Sequence, residues 1–124
     1  MIGYITLGTN DFEAAKNFYS ELLGEMGAES FYGDDRIHFY SAGPGQPMVA
    51  VCKPYDGAAH HAGNGHMLAL PGGSPEGVDK LYNKAIELGA TCDGPPGQRL
   101  PVFYGAYARD LDGNKLCFFH MTGG

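Results

Sequence analysis

The sequence predicts an α+β fold in which two βαβββ modules form a curved mixed sheet around a cavity. The first observation is a repeat at an offset of about 62 residues, because GYITLGTNDFEAAKNFYSELLGEMGA (3–28) can be laid over GHMLALPGGSPEGVDKLYNKAIELGA (65–90). The second is that an apolar strand and a helix ending at Gly-Ala are followed in each half by three short strand candidates. One helix covers one face of each sheet, which leaves the other face for a cavity.

Apolar residues at helical spacing predict one long helix in each module, and local signals mark where it begins. Asn10 is the expected N-cap of the first helix, with Glu13 completing a capping box. Ser74 is the expected N-cap of the second helix, with Pro75 at its first position. The predicted core stripes are Ala15, Phe18, Tyr19, Leu22 and Leu23 in the first helix and Val78, Leu81, Tyr82, Ala85 and Ile86 in the second.

Three strands are predicted after each helix, and turn residues separate them. Asp110-Leu111-Asp112-Gly113-Asn114 is a strong signal for a hairpin between the last two strands. We expect a single domain over 1–124, with module 1 at about 1–53, a linker at 54–63 and module 2 at about 64–121. The predicted strands are 29–33, 36–42 and 47–52 in the first module and 90–93, 102–109 and 115–121 in the second.

Composition restricts the range of partners. The chain is 44% hydrophobic and 18% charged, which is typical of a globular protein. Its net charge of −6 comes without a basic stretch, which argues against nucleic acid, and no apolar run is long enough to span a membrane. Three separated cysteines and the lack of a leader-like start predict a cytoplasmic protein with reduced thiols. The expected partner is a small molecule.

Strand alternation predicts which side chains face the cavity. A turn at 110–114 pairs residue 109 with 115, so Tyr107 lies opposite Cys117 and His120 points to the other face. Arg99, in the Gly/Pro-rich GPPGQRLPVFYG, is the predicted anion contact at the rim, whereas Arg109 is expected to be exposed. The predicted ligand pocket comprises Tyr4, Met48, His66, Arg99, Tyr107, Cys117 and Phe119, with Cys52 and Leu68 beside them.

Three segments resemble a known superfamily over essentially the whole chain. ITLGTNDFEAAKNFYSELLG, GHMLAL and YGAYARDLDGNKLCFF are similar to segments of the vicinal oxygen chelate superfamily, the glyoxalase/bleomycin-resistance/extradiol-dioxygenase group. The resemblance implies the glyoxalase/bleomycin-resistance fold. In metal-bearing members, His and Glu side chains in the middle of the first, fourth, fifth and eighth strands hold a divalent ion. That ion chelates two adjacent oxygens of the substrate.

The sequence departs from this ligand pattern at most of its positions. Tyr4 stands at the first-strand position, Ala50 at the fourth, His66 at the fifth and Cys117 at the eighth. Zinc accepts imidazole and thiolate, but a site needs three or four protein ligands. We therefore expect no metal cofactor, with His66 and Cys117 the remaining metal-ligand candidates. The alternative is a divalent Zn, Ni or Fe ion.

Three functions remain open from the sequence. The favoured one is a small-molecule-binding protein whose cavity holds no metal, as bleomycin-resistance proteins are. The alternative is a metal-dependent lyase or dioxygenase that acts on a small oxygenated or thiol-conjugated substrate. A metal-free acid/base enzyme would use His66 and Tyr4 as its catalytic pair, and Cys117 as a nucleophile would need His66 as its base. Uncovered sheet edges predict a homodimer.

Overall fold

The computed structural model describes residues 1–122, and this part of the chain contains two helices and eight strands in the order predicted. Two compact units divide it, Met1–His61 and a second that begins at Ala62, and each has the order βαβββ. The division falls inside the predicted linker. The elements of the first unit are β1 Tyr4–Gly8, α1 Phe12–Gly24, β2 Glu29–Gly33, β3 Ile37–Ser41 and β4 Met48–Cys52. Those of the second are β5 Leu68–Pro71, α2 Pro75–Glu87, β6 Thr91–Leu100, β7 Phe103–Arg109 and β8 Lys115–Met121.

In the first unit, α1 covers one face of a mixed sheet with the strand order β1-β4-β3-β2. The Tyr40 hydroxyl donates to the Lys16 carbonyl of α1 at 2.9 Å, which identifies the covered face. Tyr40 pairs with Val49, so Val49 and its alternate neighbours face the helix. The intervening residues of β4 and their partners on β1 form the opposite, open face.

The second unit repeats this arrangement with the strand order β5-β8-β7-β6. Here the Tyr104 hydroxyl donates to Asp79 Oδ1 of α2 at 2.6 Å. Tyr104 pairs with His120, so His120 lies on the face that α2 covers, together with the buried Leu116 and Phe118. The α+β fold of two βαβββ modules is thereby confirmed.

Helix caps agree with the prediction in the second unit and differ in the first. Ser74 caps α2 by accepting from the Gly77 N–H at 3.0 Å. The N-cap of α1 is Asp11 rather than Asn10, and its carboxylate accepts from the Ala14 N–H. The Asn10 side chain instead bonds the backbone of His60, so a contact distant in sequence takes the place of the expected cap.

The sixth strand is longer than expected. It runs from Thr91 to Leu100, although only 90–93 was predicted, and it contains the Gly/Pro-rich segment that was expected to be a loop. Three register shifts along its pairing with β7 absorb the extra residues. Bulges of this kind accommodate Gly and Pro within a sheet edge. Arg99 consequently lies in a strand.

Both described helices have 13 residues, and neither combines the length and apolarity that crossing a bilayer requires.

The turn between β7 and β8 is built around a buried carboxylate. Asp110 is 6% exposed and accepts from the N–H groups of Asp112 and Asn114, each at 2.9 Å. Its second oxygen accepts from Asn114 Nδ2 at 3.0 Å. Gly113 adopts φ +85°, a conformation that favours glycine. The carboxylate therefore fixes the turn that sets the register of the hairpin.

Replacing Asp110 by Ala should lower the free energy of unfolding by about 2–3 kcal/mol, because buried donors lose a charged acceptor. Urea denaturation measures the change. Asp56→Ala is the matched control, since Asp56 is exposed and caps a turn by accepting from the Ala58 N–H. Equal losses in the two variants would contradict this role for Asp110.

Candidate functional site: the open face of the second sheet

The face of the second sheet opposite α2 carries most of the chemistry of this unit. We call it the second open face, and its members on β7 and β8 are Phe103, Gly105, Tyr107, Arg109, Lys115, Cys117 and Phe119. Tyr107 pairs with Cys117 and Arg109 with Lys115. The predicted parity about the turn is confirmed, because Tyr107 and Cys117 share this face and His120 does not.

A neutral thiol lies at the centre of the second open face. Cys117 is only 1% exposed. Its burial raises the pKa of the thiol, and this outweighs the opposing effects of a hydrogen bond with Tyr107 and of the Lys115 and Arg99 charges. Burial and the neighbouring thiol also raise the pKa of Tyr107. The pair is therefore uncharged at neutral pH and forms a polar but neutral centre.

Positive charge surrounds Tyr107. The Lys115 ammonium lies 5.2 Å from the centre of the Tyr107 ring, and the Arg99 guanidinium carbon lies 5.7 Å from it. Both distances are within the range of cation–π attraction. Asp93 pairs with two cations. Its carboxylate accepts from Arg109 Nε at 3.0 Å and lies 3.6 Å from Lys115 Nζ. Two of the eight basic residues of an acidic chain thus contact one tyrosine, and a third, Arg109, shares Asp93 with Lys115.

A cleft of about 490 Å³ lies at the turn end of this face. Two cations of the second open face, Arg109 and Lys115, form part of its wall. The rest comes from the segment that leads into β5. The lining residues are Ala62, Gly63, Asn64, Gly65, His66, Met67, Arg109 and Lys115. The cleft therefore combines two cations with a glycine-containing segment that also supplies His66 and Met67.

His66 lies in this cleft rather than in the middle of the fifth strand. β5 begins at Leu68, and Ala69 is the residue that pairs with Cys117. A turn at Asn64-Gly65, with Gly65 at φ +98°, ends just before His66. The two helix caps, Asp11 and Ser74, are 63 residues apart. At that offset Met67, not His66, is the equivalent of Tyr4.

Leu68 was expected beside the pocket, but it does not face it. It pairs with Leu116 and therefore lies on the face that α2 covers. The same one-residue change of register accounts for both Leu68 and His66, because successive side chains of a strand point to opposite faces.

Arg99 and Arg109 make contacts that the sequence did not predict. Arg99, the predicted anion contact, donates to the Pro95 carbonyl of its own strand and lies beside Gly94 and Gly97. Arg109, which was expected to be exposed, is half-buried and donates to the Gly113 carbonyl at 3.2 Å as well as to Asp93. Sequence reasoning missed Arg109 and Lys115 as cleft residues. The predicted turn already paired these two residues, but the segment before β5 that completes the cleft could not be placed beside them from the sequence.

The other end of the second open face is aromatic. The Phe103 and Phe119 rings stack with centroids 5.8 Å apart and an interplanar angle of 2°. Glycine at 105 permits this, since a Cβ there would lie 2.6 Å from Phe103 Cε1. The face therefore changes from apolar to cationic along its strands.

The first unit has its own open face, on which Tyr4, Met48 and Cys52 lie together by strand register. Tyr4 is 55% exposed and packs edge-on against Phe39 at 5.1 Å. Burial raises the pKa of the Cys52 thiol. Among the predicted pocket residues, these three belong to the first unit, and the rest belong to the second.

The linker folds back onto the first unit through His60. Its backbone N–H donates to Asn10 Oδ1 at 2.7 Å, and its carbonyl accepts from Asn10 Nδ2 at 3.1 Å. The imidazole then lies against Gly8, where a Cβ would be 2.2 Å from Nδ1. No local sequence pattern predicts this contact, because it joins residues about fifty positions apart.

The residues at the superfamily's ligand positions do not fit a divalent ion. Ala50 offers only a methyl group, so at most three of the four positions carry a side chain with a donor atom. Tyr4 and His66 belong to different units and are both exposed. Within residues 1–122, no group of three or more His, Cys, Asp or Glu side chains is placed to hold a metal.

The two βαβββ units define the fold class of this protein, and comparison with a family model identifies its superfamily. The model of the Glyoxalase/Bleomycin resistance protein/Dioxygenase superfamily matches residues 1–118, and the chain belongs to this superfamily.

Solved structures agree with this membership. A glyoxalase/bleomycin resistance protein from Albidiferax ferrireducens T118 is 36% identical, with a TM-score of 0.88 over 97% of this chain and 98% of its own. A family enzyme from Burkholderia phytofirmans PsJN is 20% identical, with a TM-score of 0.79 over 96% and 97%. Lactoylglutathione lyase from Agrobacterium tumefaciens is also 20% identical, with a TM-score of 0.71 over 96% and 92%. These last two show the fold alone. No curated protein matches the chain.

The burial of the thiols predicts their reactivity. Cys92 is exposed, Cys52 is half-buried and Cys117 is buried. Because the thiolate is the reactive form, a disulfide reagent should modify Cys92 rapidly in the native protein and Cys117 only after unfolding. Spectrophotometric thiol titration measures this. Cys92→Ser should remove the fast phase and Cys117→Ser should leave it. A fast phase that disappears with Cys117→Ser would contradict the neutral, buried thiol.

Proposed function

We propose that this protein binds a small organic molecule on the second open face and does so without a resident metal ion. One observation carries the proposal. A buried, neutral Cys117 stands where metal-bearing members of the superfamily place a carboxylate, and it is paired with a tyrosine flanked by two cations. Such a surface offers a ring, a hydroxyl and positive charge to a ligand, but not the ligand set of a metal.

The lining supports a ligand with both apolar and polar parts. Phe103 and Phe119 offer ring surfaces at one end, and Tyr107 offers a ring and a hydroxyl in the middle. Aromatic contacts of this kind add binding energy beyond the area that they bury. The expected ligand is a small aromatic or acidic compound, held without a covalent step.

The metal-dependent lyase or dioxygenase remains the alternative, since the superfamily contains such enzymes and one similar structure is named a lactoylglutathione lyase. That chemistry relies on an ion that polarises substrate oxygens. The donor set of residues 1–122 favours the metal-free proposal over this alternative. The catalytic pair of Tyr4 and His66 is not part of the proposal.

Elemental analysis and thermal denaturation test the proposal together. The purified protein should contain no stoichiometric Zn, Ni or Fe, and benzyl alcohol or benzoate should raise its melting temperature. Tyr107→Leu should weaken binding about three- to tenfold, because it removes an aromatic contact. Tyr55→Leu is the matched control, since Tyr55 is 90% exposed in the first unit. A stoichiometric metal that is lost together with lyase activity would overturn the proposal.

We further propose that the protein is a cytoplasmic homodimer. Its free cysteines fit a reducing compartment. The first unit exposes apolar side chains at Tyr4, Phe31 and Tyr32, which are 55%, 67% and 56% exposed, and an association of two copies would cover such surfaces. Sedimentation velocity at micromolar concentration should give a dimer. A single monomeric species across the concentration series would contradict this assembly.

A further inference from the structure

We infer that the cleft lined by His66, Arg109 and Lys115 binds a carboxylate group of the small molecule held on the second open face. This inference rests on the proposed function, and it specifies the class of ligand and the residues that select it. The cleft and the second open face share Arg109 and Lys115, and Lys115 also contacts the Tyr107 ring. A ligand on the face therefore reaches the cleft without crossing another element.

The two charged side chains of the cleft wall, Arg109 and Lys115, are both cations. Both pair with the carboxylate of Asp93, which is not among the residues that line the cleft. This pair of cations lies in a chain whose net charge is −6. Because the surrounding chain is acidic, a concentration of cations at one cleft would attract an anion there rather than elsewhere on the second unit.

Hydrogen-bond donors remain for a ligand after the internal bonds are counted. Arg109 uses Nε for Asp93 and Nη1 for the Gly113 carbonyl, and a guanidinium has more N–H groups than these bonds use. Lys115 lies 3.6 Å from Asp93, which is an ion pair but longer than a hydrogen bond. The imidazole of His66, which also lines the cleft, adds a further polar group.

The segment that leads into β5 leaves room for a planar group close to its backbone. Gly63 and Gly65 have no side chains to fill the cleft, and the His66 ring packs against Gly63, where a Cβ would lie 2.4 Å from Nδ1. A guanidinium presents its donors in a plane that matches a carboxylate. A carboxylate is planar, whereas a phosphate is tetrahedral, so the carboxylate is the group that we assign.

Titration calorimetry with benzoate, benzamide and inorganic phosphate tests the inference on the full chain. Benzamide has the shape of benzoate but no charge, so it should bind at least about tenfold more weakly, as expected for the loss of charge-assisted hydrogen bonds. Benzoate binding should also weaken as salt is added. Arg109→Gln and Lys115→Gln should each weaken benzoate binding roughly tenfold and should weaken benzamide binding much less.

A third substitution distinguishes the loss of a charge contact from damage to the fold. Asp93→Asn removes the competing carboxylate, so it should strengthen benzoate binding about two- to fivefold, whereas simple damage to the hairpin would weaken it. Lys80→Gln is the matched control, because Lys80 is an exposed lysine on α2, on the covered side of the same sheet. Lys80→Gln should change neither the affinity for benzoate nor that for benzamide.

The failures of the two proposals are distinguishable. Equal affinities for benzoate and benzamide, or affinities that none of the three cleft substitutions changes, would overturn the carboxylate site and leave metal-free binding at Tyr107 in place. Tighter binding of inorganic phosphate, with the same dependence on Arg109 and Lys115, would overturn the choice of carboxylate. The lack of any benzoate binding up to tens of millimolar would overturn this inference, and a stoichiometric metal would overturn the proposed function as well.

Discussion

The register of the β7–β8 hairpin decides which side chains the second sheet presents, and the Asp110 carboxylate holds that register. Its oxygens satisfy the N–H groups of the turn and the Asn114 amide. A slip of one residue would exchange the two faces, placing Tyr107 and Cys117 against α2 and the buried Leu116 and Phe118 in the open. The cost of exposing such residues, together with the loss of the turn bonds, makes this alternative unfavourable. The set of side chains on the second open face therefore depends on the turn.

Burial at the centre of the face explains why a thiol changes the chemistry of this scaffold. A carboxylate at the Cys117 position would carry a desolvation cost on burial, which a metal ion offsets in metal-bearing members. A thiol avoids the cost by staying protonated. The nearby Lys115 and Arg99 interact instead with the face of the Tyr107 ring, and Lys115 also with Asp93. Lys115 therefore lies between the neutral centre of the face and the cleft whose wall it forms.

Local signals predicted the elements well, and contacts between distant residues account for what they missed. Ser74 caps its helix because the bond spans three residues, and the parity of Tyr107 and Cys117 follows from a turn whose length can be read from the sequence. Asn10 satisfies the same local rule but bonds His60 instead. The repeat made His66 the predicted equivalent of Tyr4, because the two halves were aligned at an offset of about 62 residues. The helix caps are 63 residues apart, so the true offset at this point is one residue longer. Arg109 was missed because neither its bond to Asp93 nor the cleft beside it is visible in a linear pattern.

The arrangement along the strands also sets the dimensions of a matching ligand. Phe119 and Lys115 lie at opposite ends of the face on one strand, and four residues of a β-strand span about 13 Å. The thiol and phenol of Cys117 and Tyr107 lie between them and carry no charge. A compound that reaches both ends therefore needs an apolar portion, a neutral polar middle and an anionic terminus over roughly that length. A shorter compound can contact either the stacked rings or the cationic cleft but not both, so affinity should rise most steeply when a single molecule joins the two, since the second contact is then intramolecular.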